Sequence, residues 1–462
     1  MPFQWVFLWT DLLVYALLLA VIGFAAYAAR HEHLRAPWRQ VVRRPLAVSA
    51  SVVLLVYVAI GLLDSIHFRE RLHGDSAQYS TQVWSVLDKA TLALRTRTER
   101  TYSAPFATHA FQKETVEHAG ARTREYPRLR HGGAHLQNPE DRAADIAWRT
   151  VFAATVAALV WLAAVAGLAA LWHAPGERFV VVWRRLWRGE TDVPWRSILV
   201  TIGALMILGA SAGYLSLHYH IFGTDQVGQD VFLRSLKGVR TGLVIGTVTT
   251  LVMLPFALVL GVMAGYFRGW IDDAIQYLYT TLSSIPGVLL IAAAILSLQV
   301  YMANHPEQFT SLVERADFRL LWLCVILGIT SWTGLCRLLR GEALKLREID
   351  YVDAARALGV SSARIMTRHL FPNVMHIVLI AVVLDFSGLV LAEAVLSYVG
   401  VGVDPTMDSW GNMINTARLE MAREPMVWWS LAAAFLFMFA LVLAANLFAD
   451  AVRDAFDPRL RR

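Results

Sequence analysis

The chain is poor in lysine and cysteine and lacks two common motifs of nucleotide and metal sites. Its 462 residues include four lysines, none of which follows a glycine: Lys89, Lys113, Lys237 and Lys345. A P-loop needs Gly-Lys-Ser/Thr, because backbone amides and that lysine hold the phosphates, so this chain has no such loop. The HExxH motif is also missing, since His31-Glu32-His33 has the wrong spacing. We therefore expect no catalytic residue, no metal site and no cofactor in this chain.

The two cysteines, Cys324 and Cys336, lie within one predicted membrane span. On a continuous helix their separation is about 18 Å, too far for a disulfide, so we expect two packing residues. The formal net charge of +6 comes almost wholly from arginine. Because the arginines cluster beside apolar runs, they predict membrane orientation, and we expect no nucleic-acid partner.

Long apolar runs dominate the chain, which is 56% hydrophobic with a mean hydropathy of +0.48. A helix needs about 20 apolar residues to cross about 30 Å of hydrocarbon. Arg30 follows the first run and no charged segment precedes it, which argues against a cleavable signal peptide. The sequence predicts nine spans, at about 5–29, 46–64, 150–172, 196–216, 240–267, 284–302, 319–338, 374–400 and 427–449.

Arginine-rich loops predict the orientation, because short loops rich in Lys and Arg stay in the cytoplasm. Nine spans place four such segments on one side: the loop after the first span, the loop before the fourth, the loop around Tyr351 and the C-terminal tail. We expect the N-terminus outside and the C-terminus inside. The arginines concerned are Arg30, Arg35, Arg39, Arg43, Arg44, Arg178, Arg184, Arg185, Arg188, Arg196, Arg337, Arg340, Arg347, Arg356, Arg364, Arg368, Arg453, Arg459, Arg461 and Arg462.

Residues 65–147 then lie outside and form a small polar region. Trp84–Leu94 has helical spacing, whereas residues 131–135 are typical of a turn. His131 and His135 have the spacing of metal ligands, but two adjacent glycines argue against a helix there and no third ligand is near. One hypothesis makes this region the active or sensing domain of a polytopic membrane enzyme or sensor.

A polar, amphipathic stretch, Tyr351 to Asn373, separates two apolar runs. Tyr351–Leu358 favours a short helix with a small-residue surface, and Gly359 suits the left-handed turn that ends a helix. Ser361 or Ser362 can then cap a second helix, which Pro372 closes. The stretch is either a solvated linker or a helix–turn–helix that inserts into a groove of another protein.

The spacing within this stretch resembles the "EAA" loop of permease subunits in binding-protein-dependent ABC importers. That loop reads Glu-Ala-Ala, three residues, Gly, nine residues, then Ile-x-Leu-Pro. The chain keeps Ala354, Ala355, Gly359 and Pro372, and carries Asp353 in place of the glutamate. It departs from the pattern at His369 and Phe371. The flanking sequence resembles the dipeptide/oligopeptide/nickel branch.

Three further segments resemble sequence motifs of the same branch and occur in the same order. Residues 223–230 resemble GTDxxGRD, with Gln229 in place of the arginine; residues 393–402 resemble EAxLSFLGLG, followed by a Ser-Trp-Gly word; and residues 450–459 resemble the terminal signature. The signature residues are Gly223, Thr224, Asp225, Gly228, Asp230, Glu393, Trp410 and Gly411. The resemblance covers about residues 196–462.

The resemblance implies an all-α polytopic protein with a type I ABC importer permease core, extra N-terminal spans and an extracytoplasmic loop domain. Residues 1–195 are the extension, and residues 196–462 are a six-span core with a cytoplasmic coupling loop at 339–373. Such a subunit is not an enzyme. It forms a translocation path for peptides or related solutes in the inner membrane, and its ATPase-coupling residues are Tyr351, Asp353, Ala354, Ala355, Gly359 and Pro372.

The resemblance also implies partners: a second permease subunit, one or two ABC ATPase subunits that bind ATP and Mg²⁺, and an extracytoplasmic solute-binding protein, besides membrane lipid. Asp385 lies inside an apolar run, where a charge usually faces a bundle interior or water. It either lines the translocation path or is a packing carboxylate. Glu393 belongs to a family word and is expected to be structural. Asp272 is expected to cap a helix after an inner turn, and Pro255 and Pro286 to kink or break helices.

Overall fold

The computed structural model describes residues 3–71, 79–118, 121–172, 179–189, 191–309 and 311–456. The last residues of the terminal signature, 457–459, therefore lie outside the described part. The elements of the N-terminal half are β1 (Phe3–Val6), α1 (Trp9–Arg30), α2 (Glu32–Arg43), α3 (Pro45–Ser65), β2 (His67–Arg71), β3 (Tyr79–Ser85), α4 (Val86–Ala90), α5 (Leu92–Thr96), β4 (Glu114–His118), β5 (Ala121–Glu125), α6 (Arg142–Leu171) and α7 (Phe179–Arg188).

The C-terminal half is mainly helical in its described part, with non-helical connections at 217–230, 399–409 and 421–428. A π-helical turn, Met366–Leu370, joins two of its helices into one continuous rod. Its helices are α8 (Trp195–Ser216), α9 (Val231–Phe267), α10 (Gly269–Ser284), α11 (Gly287–Asn304), α12 (Leu312–Ser331), α13 (Thr333–Arg347), α14 (Asp350–Ala357), α15 (Ser362–Ile365), α16 (Phe371–Tyr398), α17 (Trp410–Glu420) and α18 (Trp429–Phe456).

Within the described ranges, nine helical stretches are long and apolar enough to cross a membrane, and they coincide with the nine predicted runs. This confirms a polytopic, mainly helical fold. Pro286 separates α10 from α11, as predicted, whereas Pro255 stays inside the unbroken α9. Cys324 and Cys336 are buried and unbridged, as their spacing predicted.

The parts of the N-terminal half that are predicted to lie outside, called the outer region here, contain strands that the sequence analysis did not predict. The antiparallel sheet β1–β2–β3 pairs Trp5 with Phe68 and Phe68 with Trp84, and β4 and β5 form a separate hairpin. The helix predicted to begin at Trp84 therefore begins at Val86, because Trp84 belongs to the edge of the sheet. His131 and His135 lie in a turn, as predicted.

The core is built around α9, which is buried along most of its length. α9 packs against α3, α12, α13 and α16. Glycines on α9 allow these close approaches: a Cβ at Gly261 would lie 2.8 Å from the Cys336 carbonyl oxygen, and one at Gly238 would lie 2.8 Å from the Trp410 ring. The two groups of residues described next lie at the two ends of α9.

Candidate functional site

A short helical hook, defined here as residues 350–361, projects from the end of the bundle that the arginine-rich loops predict to be cytoplasmic, which we call the inner end. It consists of α14, the turn at Gly359 and the start of the next helix. Gly359 has φ +77°, the left-handed conformation that glycine adopts without strain. The amide of Gly359 donates to the Arg356 carbonyl and that of Val360 to the Ala355 carbonyl. The predicted helix and its glycine stop are therefore both present.

The hook is anchored by a few buried apolar side chains. Val352, Ile365 and Leu370 are fully buried in a cluster that includes Tyr266 and Val374. The Arg347 guanidinium donates to the Tyr266 carbonyl at 2.8 Å. These contacts attach the hook to the inner ends of α9, α13 and α16.

The opposite face of the hook is exposed and small. Ala354 and Ala357 are exposed, and Leu358 at the tip of the hook is 83% exposed. Asp353 pairs with Arg356 at 3.1 Å across one turn. The hook thus presents an apolar tip beside small, exposed alanines. Composition alone did not indicate that Leu358 forms the tip of the hook, although the sequence shows this residue just before the glycine stop.

Pro372 does not close a helix, contrary to the prediction. It lies in the first turn of α16, and the chain is helical from Ser362 to Tyr398. The π turn at Met366–Leu370 accommodates Pro372, which has no amide hydrogen to donate. Asn373 then donates to the Tyr351 hydroxyl at 3.0 Å and to the His369 carbonyl at 2.6 Å, which ties the rod back to the hook.

Asp272 does not cap α10, contrary to the prediction. The residue at the cap position is Arg268, and Asp272 instead accepts two hydrogen bonds from Arg340, at 2.6 and 2.7 Å. Arg340 lowers the pKa of Asp272, and this effect exceeds the opposing effect of burial. The bidentate pair fastens the inner turn to α13, beside the hook.

At the opposite end, which we call the outer end, the residues of the GTDxxG motif form the turn that starts α9. The Asp225 carboxylate accepts from the amides of Val227 and Gln229, at 3.0 and 2.8 Å. Asp230 caps α9 by accepting from Phe232 at 2.8 Å and Leu233 at 3.3 Å.

The same motif makes close backbone contacts with the outer region of the N-terminal half. The Ser103 amide donates to the Thr224 hydroxyl at 2.7 Å, and the Glu99 amide donates to the Gly228 carbonyl at 2.9 Å. A Cβ at Gly223 would overlap the Ser103 carbonyl, and one at Gly228 would overlap the Glu99 carbonyl. Both glycines are therefore required by close backbone approach. We call residues 99–103 together with 220–230 the outer clasp.

His220 sits inside the outer clasp between two carboxylates. Its Nδ1 lies 2.7 Å from Asp230 and its Nε2 lies 3.4 Å from Glu99. Burial alone would lower the pKa of His220, but the hydrogen bonds and charges of the two carboxylates raise it to about 9. Burial likewise opposes ionisation of Glu99, yet His220 and three backbone amides hold its pKa at about 2.

The motif that contains Glu393 and the Ser-Trp-Gly motif contact each other beside α9. Glu393 is buried and accepts from the Ser397 hydroxyl at 2.7 Å, and a Cβ at Gly411 would lie 2.5 Å from the Glu393 carboxylate. The Trp410 indole donates to the Ser235 carbonyl at 3.0 Å. Glu393 is thus in a packed, hydrogen-bonded position.

Asp385 lies two turns before Glu393 on α16 and is half-buried. No hydrogen bond or ion pair from any described residue reaches its carboxylate. This half-buried carboxylate in an apolar helix contrasts with Glu393 and is open to a ligand, water or a neighbouring subunit.

A charged cavity of about 460 Å³ lies between the N-terminal half and the outer ends of α9 and α12. Arg240 pairs with Asp11 at 2.7 Å and with Asp317 at 3.5 Å, and Lys237 pairs with Asp88 at 3.1 Å. Sequence reasoning missed this network, although charged residues at the ends of apolar runs were a visible signal. The network joins α1 and α4 of the N-terminal half to α9 and α12.

Comparisons with known proteins give consistent matches. The family model for the inner membrane component of binding-protein-dependent transport systems matches residues 257–462. The glutathione transport system permease protein GsiD of Pectobacterium atrosepticum is 33% identical over 244 residues, which cover 52% of this chain and 73% of that protein.

Two further relatives are also similar to this chain. The dipeptide transport system permease protein DppC of Bacillus subtilis is 29% identical over 61% of this chain and 85% of its own length. The oligopeptide transport system permease protein OppC of Haemophilus influenzae is 29% identical over 53% of this chain and 71% of its own length.

Proposed function

This chain belongs to the inner membrane components of binding-protein-dependent transport systems, the permease subunits of ABC importers, and we propose that its hook couples it to a separate ATPase. It is a multi-pass inner membrane protein and a transport subunit rather than an enzyme. We propose that residues 196–462 are the permease core and that residues 1–195 are an extension.

The observation that carries the coupling proposal is the hook's two-sided construction. Val352 is fully buried in the core, while Leu358 is 83% exposed. The coupling residues are then Tyr351, Asp353, Ala354, Ala355, Gly359 and Pro372, with Leu358 as the tip. Closure of the ATPase around ATP and Mg²⁺ pushes the hook and tilts α9, α13 and α16 together. Shifting such an equilibrium from 1:99 to 99:1 takes about 5.5 kcal/mol of differential binding, which nucleotide binding supplies.

The transported solutes are peptides or related small molecules, delivered by an extracytoplasmic solute-binding protein. The names of the relatives support this class. A second permease subunit completes the path, and Asp385 lines it. The hook and the C-terminus face the cytoplasm and the N-terminus lies outside, in keeping with the arginine-rich loops.

The alternative hypothesis of a membrane enzyme or sensor has little support in the fold. Residues 209–213 match the Gly-x-Ser-x-Gly pattern, but they lie inside α8, near its C-terminal end, whereas a nucleophile elbow needs a strand-to-helix turn. Among the described residues, no group of three or more His, Cys, Asp or Glu could hold a metal ion.

Cysteine labelling tests the position of the hook. Both native cysteines are buried, so Leu358→Cys introduces an accessible thiol. We expect a membrane-impermeant maleimide to label it only from the cytoplasmic side, and a short crosslinker to join it to the ATPase. Arg122→Cys, on the outer hairpin, should show the opposite sidedness. Labelling of Leu358→Cys from outside would overturn the proposal.

A bulky substitution tests the coupling itself. Gly359→Trp adds bulk and backbone strain at the hook, so solute-stimulated ATPase activity and uptake should fall together while the complex still assembles. Gly189→Trp is the matched control, because Gly189 has φ +72° and open space around it. Unchanged uptake in Gly359→Trp, with normal expression, would refute the coupling role.

A further inference from the structure

Two amphipathic helices carry a dense set of arginines at the end of the bundle where the hook lies. In the described residues 32–44, 179–189 and 191–196 there are eight arginines and two acidic residues, Glu32 and Asp192. All eight arginines are exposed. We call these side chains the arginine collar: Arg35, Arg39, Arg43, Arg44, Arg184, Arg185, Arg188 and Arg196.

α2 lies across the inner end of α18. Trp38 and Val41 pack in a cluster with Phe448 and Phe456. The arginines of α2 recur every fourth residue, which places them along one side of the helix. Arg44, just beyond the helix, pairs with Asp454 of α18 at 2.6 Å. The helix therefore has one face on the protein and its basic stripe turned away from the core.

α7 is attached in the same way to the end of α6. Val182 and Leu186 are buried against Ala169 of α6. The neighbouring apolar residues Phe179 and Val180 are 41% and 61% exposed, beside the arginines of the same helix. Exposed apolar residues next to a basic stripe are typical of a helix in the plane of the membrane interface.

An ion pair makes the two helices one surface. Asp192, in the turn between α7 and α8, lies 3.2 Å from Arg43 and 3.8 Å from Arg39. α2 and α7 each adjoin the ends of membrane-spanning helices, so their charges sit at the level of lipid headgroups.

We propose that the arginine collar binds anionic phospholipid headgroups. A guanidinium presents a planar fork that matches phosphate oxygens with two hydrogen bonds. Each basic residue in a juxtamembrane segment raises the binding constant for anionic lipid about fivefold. The exposed Phe179 and Val180 complete the fit by entering the acyl boundary. The inference rests on the proposed function only for placing these headgroups in the cytoplasmic leaflet.

Native mass spectrometry of the full chain tests the proposal. The chain is released from neutral micelles that contain equal amounts of phosphatidylglycerol and phosphatidylcholine. We expect a severalfold excess of phosphatidylglycerol adducts on the wild type, declining as salt is added. Substituting Arg35, Arg39, Arg184 and Arg188 by Gln should bring the ratio close to one.

The matched control carries the same charge change at the outer end. Substituting Arg100, Arg122, Arg124 and Arg130 by Gln should leave the excess unchanged. An equal loss in both variants, or no loss in the collar variant, would overturn the proposal. If the fourfold variant does not fold, Arg35→Gln with Arg184→Gln should still lower the ratio severalfold, and an unchanged ratio there would refute it. The readout needs no ATPase, so it is independent of the coupling test.

Discussion

Protonated His220 holds the outer clasp closed, so the clasp should open as the pH rises. His220 is 4% exposed and lies between Asp230 and Glu99. Its pKa is raised from 6.5 to about 9 in the folded chain. A raised pKa means that the stabilisation is complete below pH 6.5 and is lost as the pH rises through about 9. The depressed pKa of Glu99 acts in the other direction, with stabilisation lost only as the pH falls from 4.5 through about 2.

The size of the effect follows from the shift of the His220 pKa. Each pKa unit corresponds to about 1.4 kcal/mol, so between pH 6 and pH 9 the clasp loses about 3 kcal/mol. The equilibrium constant for opening then rises about a hundredfold. His220→Gln removes the titrating group and leaves two buried carboxylates without their cation. The variant should therefore open readily at pH 6 and respond little to pH.

Hydrogen exchange of two amides measures the clasp directly. The Glu99 amide donates to Gly228 and the Thr224 amide donates to Ser103, so both are protected only while the clasp is closed. After correction for intrinsic exchange, wild-type protection should fall about a hundredfold from pH 6 to pH 9. The same pH dependence in wild type and His220→Gln would refute the assignment of His220.

Three further substitutions test separate parts of the structure. Gly228→Ala forces a Cβ into the Glu99 carbonyl and should cost about 2–4 kcal/mol by thermal unfolding, whereas Gly400→Ala, also at positive φ but in open space, should cost about 1 kcal/mol; equal losses would contradict the steric argument. Asp272→Asn breaks a partly buried bidentate pair and should cost about 1–3 kcal/mol, with faster hydrogen exchange in the inner turn; an unchanged melting midpoint would contradict it. Asp385→Asn should reduce uptake at normal expression, and wild-type uptake would remove this residue from the path.

The hook could be predicted because its signals are local. A run of alanines, a glycine stop and a serine just beyond it lie within one short stretch, and Gly359 adopts the φ expected for it. The prediction that Pro372 closes a helix was wrong because a π turn, which depends on how α15 and α16 pack on the core, accommodates the proline. Local chemistry predicted the turn, and tertiary packing decided where the second helix ends.

The outer clasp and the inner ion pair could not be predicted because their partners are distant in sequence. Thr224 meets Ser103, and Asp272 meets Arg340. Cap chemistry explains Asp230 at the start of α9, but the same reasoning failed for Asp272, whose carboxylate is used across the bundle. Short polar side chains have both options, and only the packing of helices selects one.

The outer clasp also changes how the extension is understood. The sequence predicts a boundary near residue 195, between the part that resembles known permeases and the part that does not. However, Gly228 leaves no room for a side chain beside Glu99, and Arg240 in the core pairs with Asp11 in the first helix. Removing one partner of a buried charge pair costs about 3–5 kcal/mol, so separating the two parts is unfavourable. We therefore expect the parts of the extension that make these contacts, around Asp11 and Glu99, to move with the outer end of α9. A motion that starts at the hook and travels along α9 should then reach the outer region.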